Sequence, residues 1–444
     1  MSLSTAAQVL QTKHSGADVM FFGVSTDTRK LAKNDLFVAL KGPNFDGHDF
    51  IDQAKQAGAA AAMVQQAIRV DLPYVQVSDT HDALGKLAAW WRQQFSMPVI
   101  GVTGSNGKTT VKEMIAAIMN QKASGLATRG NLNNDIGVPL TLLRLRDTDA
   151  YAVIEMGMNH AGEIDYLTHL ARPDIALITN AAAAHLEGLG TVEAVARAKG
   201  EIYSGLDDNG IAVINADDDY AQYWKTLVKG KRVVTFGLDK PADFTGRYEL
   251  DEAGSLIHMK TTIGELDMRL PLLGKHNVLN ALAAAATTVS AGATLEHVKL
   301  GLASLQVVSG RLEMKAGVNG SRIIDDTYNA NPASVSAGLE VLKQIPGKRI
   351  LVLGDMGELG PTSPSIHKHI GELAKLIGID RMFTIGKLTQ MASAGFGEGA
   401  KHFEDRESLS QELTACLNSE TTVLIKGSRL MQMEKIVASV TRST

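Results

Sequence analysis

With 444 residues, 45% of them hydrophobic, the chain is too long for one ordinary domain and carries apolar mass for several cores. A net charge of −4 gives no electrostatic reason to expect a nucleic-acid partner, and the single cysteine, Cys416, excludes an internal disulfide and suits a reducing cytoplasm. The N-terminus shows no basic-then-apolar secretion signal, and the most apolar stretch, NALAAAATTVSAGA from Asn280, is too polar to span a bilayer.

Short apolar runs (VMFFGV, DLFVAL, AAAAMV) separated by polar turns make residues 1 to about 80 a small α/β module. A helix is predicted next, with Leu84, Leu87, Ala88, Trp91 and Phe95 at helical spacing. From Pro98 the runs PVIGV, YAVIE, DIALIT, GIAVI and RVVTF alternate with helical stretches, the pattern of a parallel sheet with crossover helices. After Phe244, alternation at Leu266, Met268 and Leu270 predicts a local antiparallel hairpin. A further α/β series follows, with RIIDD, RILVLG, RMFTIG and TVLIKG as strands and a helix carrying Ile366, Ile370, Leu373 and Ile377 on one face. The expectation is therefore three α/β domains, over 1–80, 81–310 and 311–444, with no repeat array or low-complexity linker.

The stretch VTGSNGKTT follows a strand and opens a helix whose apolar face is Val111, Met114, Ile115, Ile118 and Met119. Gly104 and Gly107 let the backbone turn its N–H groups toward an anion, and the helix N-terminus reinforces them. Lys108 reaches β/γ-phosphate oxygens and the Thr109 hydroxyl suits Mg²⁺. The match to G-x-x-x-x-G-K-[ST] lacks its first glycine, where Val102 stands, so a plain Gly-rich turn with a surface lysine is the competing reading. Position between strand and helix favours the nucleotide. Glu155 ends the strand YAVIE, where P-loop proteins often carry the acid that holds Mg²⁺, and His185 lies on the loop after DIALITN. Ligands of open α/β sheets bind at carboxyl strand ends, so Thr109, Glu155 and His185 can converge. Lys199 shares a helical stripe with Val192, Val195 and Ile202; snorkelling is the ordinary reading, a desolvated, partly neutral amine the sharper one. Further along, His276, Asn277 and Asn280 open a helix, as caps or as nucleotide contacts. Arg311 lies at the domain junction, and Asp325 and Asp326 end a strand before an Asn-rich turn. These residues alone support an ATP-using enzyme whose domains close.

Taken together and in order, TGSNGKTT, GNLNNDIGVPLTLL, AVIEMG, TNAAAAHLEGLG with AKGEI, LLGKHNVLNALAAAA, SGRLE and DDTYNANPAS resemble the Mur ligase family over almost the whole chain. That resemblance implies a small N-terminal α/β UDP-binding module, a central P-loop ATPase domain with a mainly parallel sheet, and a C-terminal Rossmann-like α/β domain. STDTRKLAKNDLFVALKGPNFDGHDFI is similar to the UDP-sugar module of the two later ligases of the family. NANPAS, LGDMGELG, the terminal KGSR and the lack of a DNPR-type motif favour the one that joins D-Ala-D-Ala to UDP-MurNAc-tripeptide through an acyl phosphate, releasing ADP and phosphate. The implied role is cell-wall precursor synthesis by a cytoplasmic monomer.

The same resemblance assigns ATP to Thr103, Gly104, Ser105, Asn106, Gly107, Lys108, Thr109 and Thr110. It adds Asn280 for adenine, Asp326 for ribose, and Arg311 and His276 near the phosphates. Two Mg²⁺ ions would be held by Thr109, Glu155, His185 and Lys199, the lysine carbamylated by CO₂ into an anionic ligand. Lys108, His185, Lys199 and Arg311 would carry the catalysis. Substrate contacts would come from Asn133 and Asn134, from Tyr328, Asn329 and Asn331, and from Lys426 and Ser428 toward the dipeptide. Ser25, Asp27, Arg29, Asp46 and His48 would face UDP. The competing classes are a folylpolyglutamate synthetase-like amide ligase, a P-loop small-molecule kinase and a nucleotide-binding regulator without turnover.

Overall fold

A computed structural model describes residues 1–251, 254–305 and 308–441. The apolar runs of the first eighty residues form a five-stranded sheet in the order His14–Ser15, Tyr74–Gln76, Ala61–Val64, Asp35–Val38, Gly23–Ser25. The first pair is antiparallel and the remaining pairs parallel. The two central strands are buried at every position, which is why they read as continuous apolar runs rather than alternation.

Helix Thr80–Arg92 starts where the Asp79 carboxylate accepts the His81 and Asp82 N–H groups, a standard N-cap. Its apolar stripe of Leu84, Leu87 and Ala88 is fully buried. It packs on helices Gly137–Leu142 and Glu163–Ala171 of the next sheet as well as on the N-terminal helix.

All five expected strands join a central parallel sheet ordered Arg232–Phe236, Ile211–Asn215, Ile175–Ile178, Val99–Thr103, Ala152–Glu155, Leu126–Ala127. The period of two sends Ile100, Val102 and Val153 into the core under helices Lys108–Asn120 and Lys275–Ser290. Val99, Ile154 and Ile178 face the opposite core, with Val195 and Ile202. The strand that feeds the phosphate loop thus sits inside the sheet with both faces covered. The region after Phe244 holds more than a hairpin: Thr245–Asp251, Gly254–Thr261 and Gly264–Leu270 form a three-stranded antiparallel sheet.

The last sheet runs Glu313–Ala316, Arg322–Asp326, Thr421–Lys426, Lys348–Gly354, Arg381–Ile385, Ala400–Phe403, antiparallel only at its first pair. Its two edge strands were not read from the sequence. Helix Ser363–Leu376 turns Ile370 and Ala374 into this core with Ile366 and Leu373 beside them, as its spacing predicts. No helix among the described residues is long and apolar enough to cross a membrane.

Candidate active site

The phosphate loop needs its glycines. Gly104 and Gly107 have φ of 151° and 80°, and a Cβ on Gly104 would run into the Thr179 hydroxyl. Gly107 caps helix Lys108–Asn120 with no side chain over its end, so the first-turn N–H groups face outward for an anion. The loop is braced from the neighbouring strand end. Thr179 Oγ1 and Asn180 Nδ2 donate to Asn106 O at 2.7 and 3.0 Å, and the Asn106 N–H donates to Asn180 Oδ1 at 3.0 Å. Lys108 folds back, its Nζ donating to Gly104 O at 2.7 Å, and burial pulls its pKa down despite Glu155 nearby.

Glu155 is almost fully buried at its strand end. Its Oε1 accepts from Asn133 Nδ2 at 2.7 Å and Thr109 Oγ1 at 3.2 Å, and its N–H donates to the Thr128 hydroxyl at 2.9 Å. Its Oε2 is buried with no hydrogen-bond partner. An ionised oxygen in that state is costly unless a cation meets it, so Thr109 and Glu155 fit a hard divalent ion. Among the described residues, no three His, Cys, Asp or Glu side chains form a ready-made metal cluster. Any such ion therefore needs a mixed donor set.

His185 lies in the left-handed region at φ 57°, with Nδ1 2.7 Å from Glu358 Oε2 across the cleft. The approach is close but the N–H axis is out of line, leaving Nδ1 short of an aligned hydrogen bond. Lys199 does not snorkel. It is 1% exposed, on helix Val192–Gly200, which is tied to helix Ala221–Leu227 where Trp224 Nε1 donates to Ala196 O at 2.9 Å. No carboxylate lies within ion-pair distance among the described residues; burial, then the Lys108 charge, holds the amine far below its ordinary pKa.

The last sheet faces the loop. Arg311 Nη2 donates to Thr109 Oγ1 at 3.0 Å, and its guanidinium lies 4.1 Å from the Tyr328 ring centre. Asn331, the N-cap of helix Pro332–Gln344, donates through Nδ2 to Asn106 Oδ1 at 2.7 Å. Asp326 and Lys426 form a buried pair at 2.6 Å, and Lys426 also donates to Asn329 O at 2.9 Å. Burial raises the Asp326 carboxyl and Lys426 opposes it, while His276, part-buried near Lys426, is pushed down to about 4 by desolvation. Asn280 Nδ2 donates to Asn277 Oδ1 at 3.2 Å.

Together these groups line a cleft of about 1030 Å³ that also takes in Ser105, Thr110, Asn134, Asn329 and Ser428. Lys199, Thr103, Gly104 and the first-domain candidates are not part of that lining. Thr103, expected to contact ATP, is fully buried and its hydroxyl donates to Met156 O at 2.8 Å instead. Asp27 and Arg29 pair through two 2.8 Å bonds, and Ser25 Oγ donates to Asp27 O at 2.9 Å. His48 is held between Asp46 at 2.6 Å and the Gln65 N–H at 2.9 Å. Both groups are knitted locally. Glu358 and Asn180 were not singled out as site residues from sequence, although each follows the carboxyl end of a parallel strand, the position that could have found them.

Three family models match the chain: Mur ligase family, catalytic domain, over 21–92; Mur ligase middle domain over 102–288; and Mur ligase, glutamate ligase domain, over 310–429. The UDP-N-acetylmuramoyl-tripeptide–D-alanyl-D-alanine ligase of Escherichia coli K12 is 47% identical over 444 residues, covering 99% of this chain and 98% of that protein. A crystal structure of MurF from Acinetobacter baumannii superposes with a TM-score of 0.92 at 36% identity, covering 98% and 97%. MurF ligase from Thermotoga maritima in complex with ADP gives 0.84 at 30% identity, covering 94% and 96%.

Proposed function

The chain belongs to the Mur ligase family, and from that premise we propose that it joins D-alanyl-D-alanine to UDP-MurNAc-tripeptide with hydrolysis of ATP to ADP and phosphate. The observation that carries this reading is the cleft itself. A phosphate loop, a carboxylate with an uncompensated oxygen and an arginine from the opposite sheet meet within hydrogen-bond reach of Thr109. Near-full-length likeness to D-alanyl-D-alanine-adding ligases supplies the substrates. We also propose the domain divisions near 80 and 310, and a cytoplasmic monomer.

In the first step a tripeptide carboxylate oxygen bonds to the γ-phosphorus as the bond to the β,γ-bridging oxygen breaks, releasing ADP and leaving an acyl phosphate. In the second, the free amine of D-Ala-D-Ala attacks the acyl carbon, the C–O bond to phosphate breaks, and the nitrogen loses a proton. The first step drives one anion toward another, so positive charge must offset the repulsion. Lys108 and the loop N–H groups cradle the phosphates, and Arg311 and His276 flank them. Asn280 serves the adenine and Asp326 the ribose, which requires Lys426 to share that carboxylate with the sugar. Thr109 and Glu155 would hold one Mg²⁺ and His185 a second, lending Lewis-acid charge to the phosphoryl oxygens. Lys199 fits the carbamate role: CO₂ reacts with a neutral amine, which its burial supplies, and the product is an anionic oxygen donor. Asn133, Asn134, Tyr328, Asn329, Asn331 and Ser428 face the reacting peptides, and the Asp27 and Asp46 turns the UDP end.

The test is substrate dependence. Phosphate release from ATP should require both UDP-MurNAc-tripeptide and D-Ala-D-Ala and yield a UDP-pentapeptide by mass spectrometry. Full-rate release without the dipeptide, or turnover of folate and glutamate instead, overturns the reading.

A further inference from the structure

His185 and Glu358 are both non-glycine residues in the left-handed region, at φ 57° and 62°, and they face each other. Such conformations persist only where the surroundings hold them, and they cluster at working sites. Here the surroundings are each other's loops. The Glu187 N–H donates to Glu358 O at 3.1 Å, fixing the 185–189 turn of the central sheet against the loop that follows strand Lys348–Gly354. The Glu358 side chain then reaches His185 Nδ1 at 2.7 Å.

An imidazole that binds a cation through one nitrogen needs its proton on the other, and a carboxylate at that other nitrogen fixes both tautomer and ring orientation. Glu358 stands at Nδ1, its Oε2 2.7 Å away. That leaves Nε2 as the free donor. The two residues belong to different sheets, and the carboxylate is present only when the last sheet is docked over the phosphate loop.

We propose that Glu358 is the positioning residue for His185, making the His185-associated cation site competent only when the C-terminal sheet is docked. The proposal rests on the reading that His185 serves a divalent cation. It accounts for two strained residues that phosphate binding alone leaves unexplained.

The experiment is a Mn²⁺ titration of the full-length enzyme with a non-hydrolysable ATP analogue, read by electron paramagnetic resonance. It compares the wild type with Glu358→Gln, Glu358→Ala, His185→Ala and the double alanine variant. Two classes of Mn²⁺ site are expected in the wild type. Both Glu358 variants should weaken one class about 10- to 100-fold and spare the other. The double variant should bind no more weakly than His185→Ala, because a positioning residue has nothing left to position. Glutamine fills the same space, so its effect reports the lost carboxylate rather than a collapsed loop. Unchanged Mn²⁺ affinity in Glu358→Gln, a single Mn²⁺ class in the wild type, or a double variant weaker than His185→Ala by the full Glu358 factor overturns the proposal. A wild type that makes no UDP-pentapeptide sinks the ligase function and leaves the Mn²⁺ result to stand alone.

Discussion

Arg311 donates from Nη2 to the Thr109 hydroxyl at 3.0 Å, across 202 positions of sequence, and Thr109 in turn donates to Glu155 at 3.2 Å. One cation from the last sheet is thereby tied to the helix start and to the acid of the phosphate site. Its Nε is buried with no partner, a donor left over for an incoming oxygen.

Removing that donor should hit the chemical step. Arg311→Ala is expected to lower kcat on the order of a hundredfold or more, the usual cost of losing one transition-state donor, with a smaller change in KM for ATP. Arg311→Lys should recover little, because an ammonium cannot stack on Tyr328 while donating as a fork. Steady-state phosphate release over an ATP series checks both; a KM effect with kcat intact would mean that Arg311 only binds the nucleotide.

Lys199→Ala should lose ligase activity and regain part of it with added short carboxylic acids, which restore an anionic oxygen in the vacated space. Lys199→Arg should not be rescued, since the guanidinium fills that space with a permanent charge. Wild-type turnover in Lys199→Ala would reduce the lysine to a packing role.

The Asp326–Lys426 pair makes a stability claim of a different kind. Breaking a buried pair leaves one uncompensated charge, so Lys426→Met alone should destabilise the C-terminal sheet by about 3–5 kcal/mol. Asp326→Asn combined with Lys426→Met should recover most of that loss. Urea unfolding of wild type, each single variant and the double variant distinguishes the pair from independent packing effects, which would simply add.

Local pattern carried much of this molecule. The phosphate loop was legible because the buried strand Val99–Thr103 and the apolar face of helix Lys108–Asn120 bracket it closely in sequence. The edge strand Ala400–Phe403 was not, because AKHF buries only Phe403 and shows no alternation to read. Lys199 illustrates the remaining gap. Its helix spacing is real, but its burial and its proximity to Lys108, 91 residues earlier, are set by tertiary packing that a one-turn window cannot see. Glu358 is harder still, since its meaning depends on a partner 173 residues earlier. The first-domain residues sit in self-satisfied turns, and their pattern alone does not separate a ligand site from a well-made loop.

His276 gives the pH dependence its sign. Burial, then the Lys426 charge, lowers its folded pKa to about 4 from an ordinary 6.5, so the folded protein keeps it neutral where the unfolded chain takes up a proton. The contribution is fully present above pH 6.5 and is lost as pH falls from there toward 4. A shift of that size corresponds to about 3 kcal/mol at its limit, and the ring's partial exposure cuts this to about 1–2 kcal/mol. His276→Gln should flatten the slope of melting temperature between pH 7 and 5 relative to wild type, while leaving the plateau above pH 7 within about 1 kcal/mol. An unchanged slope would mean that the ring is solvated and free to protonate in the folded state, and the phosphate-flanking role proposed for it would lose its electrostatic setting.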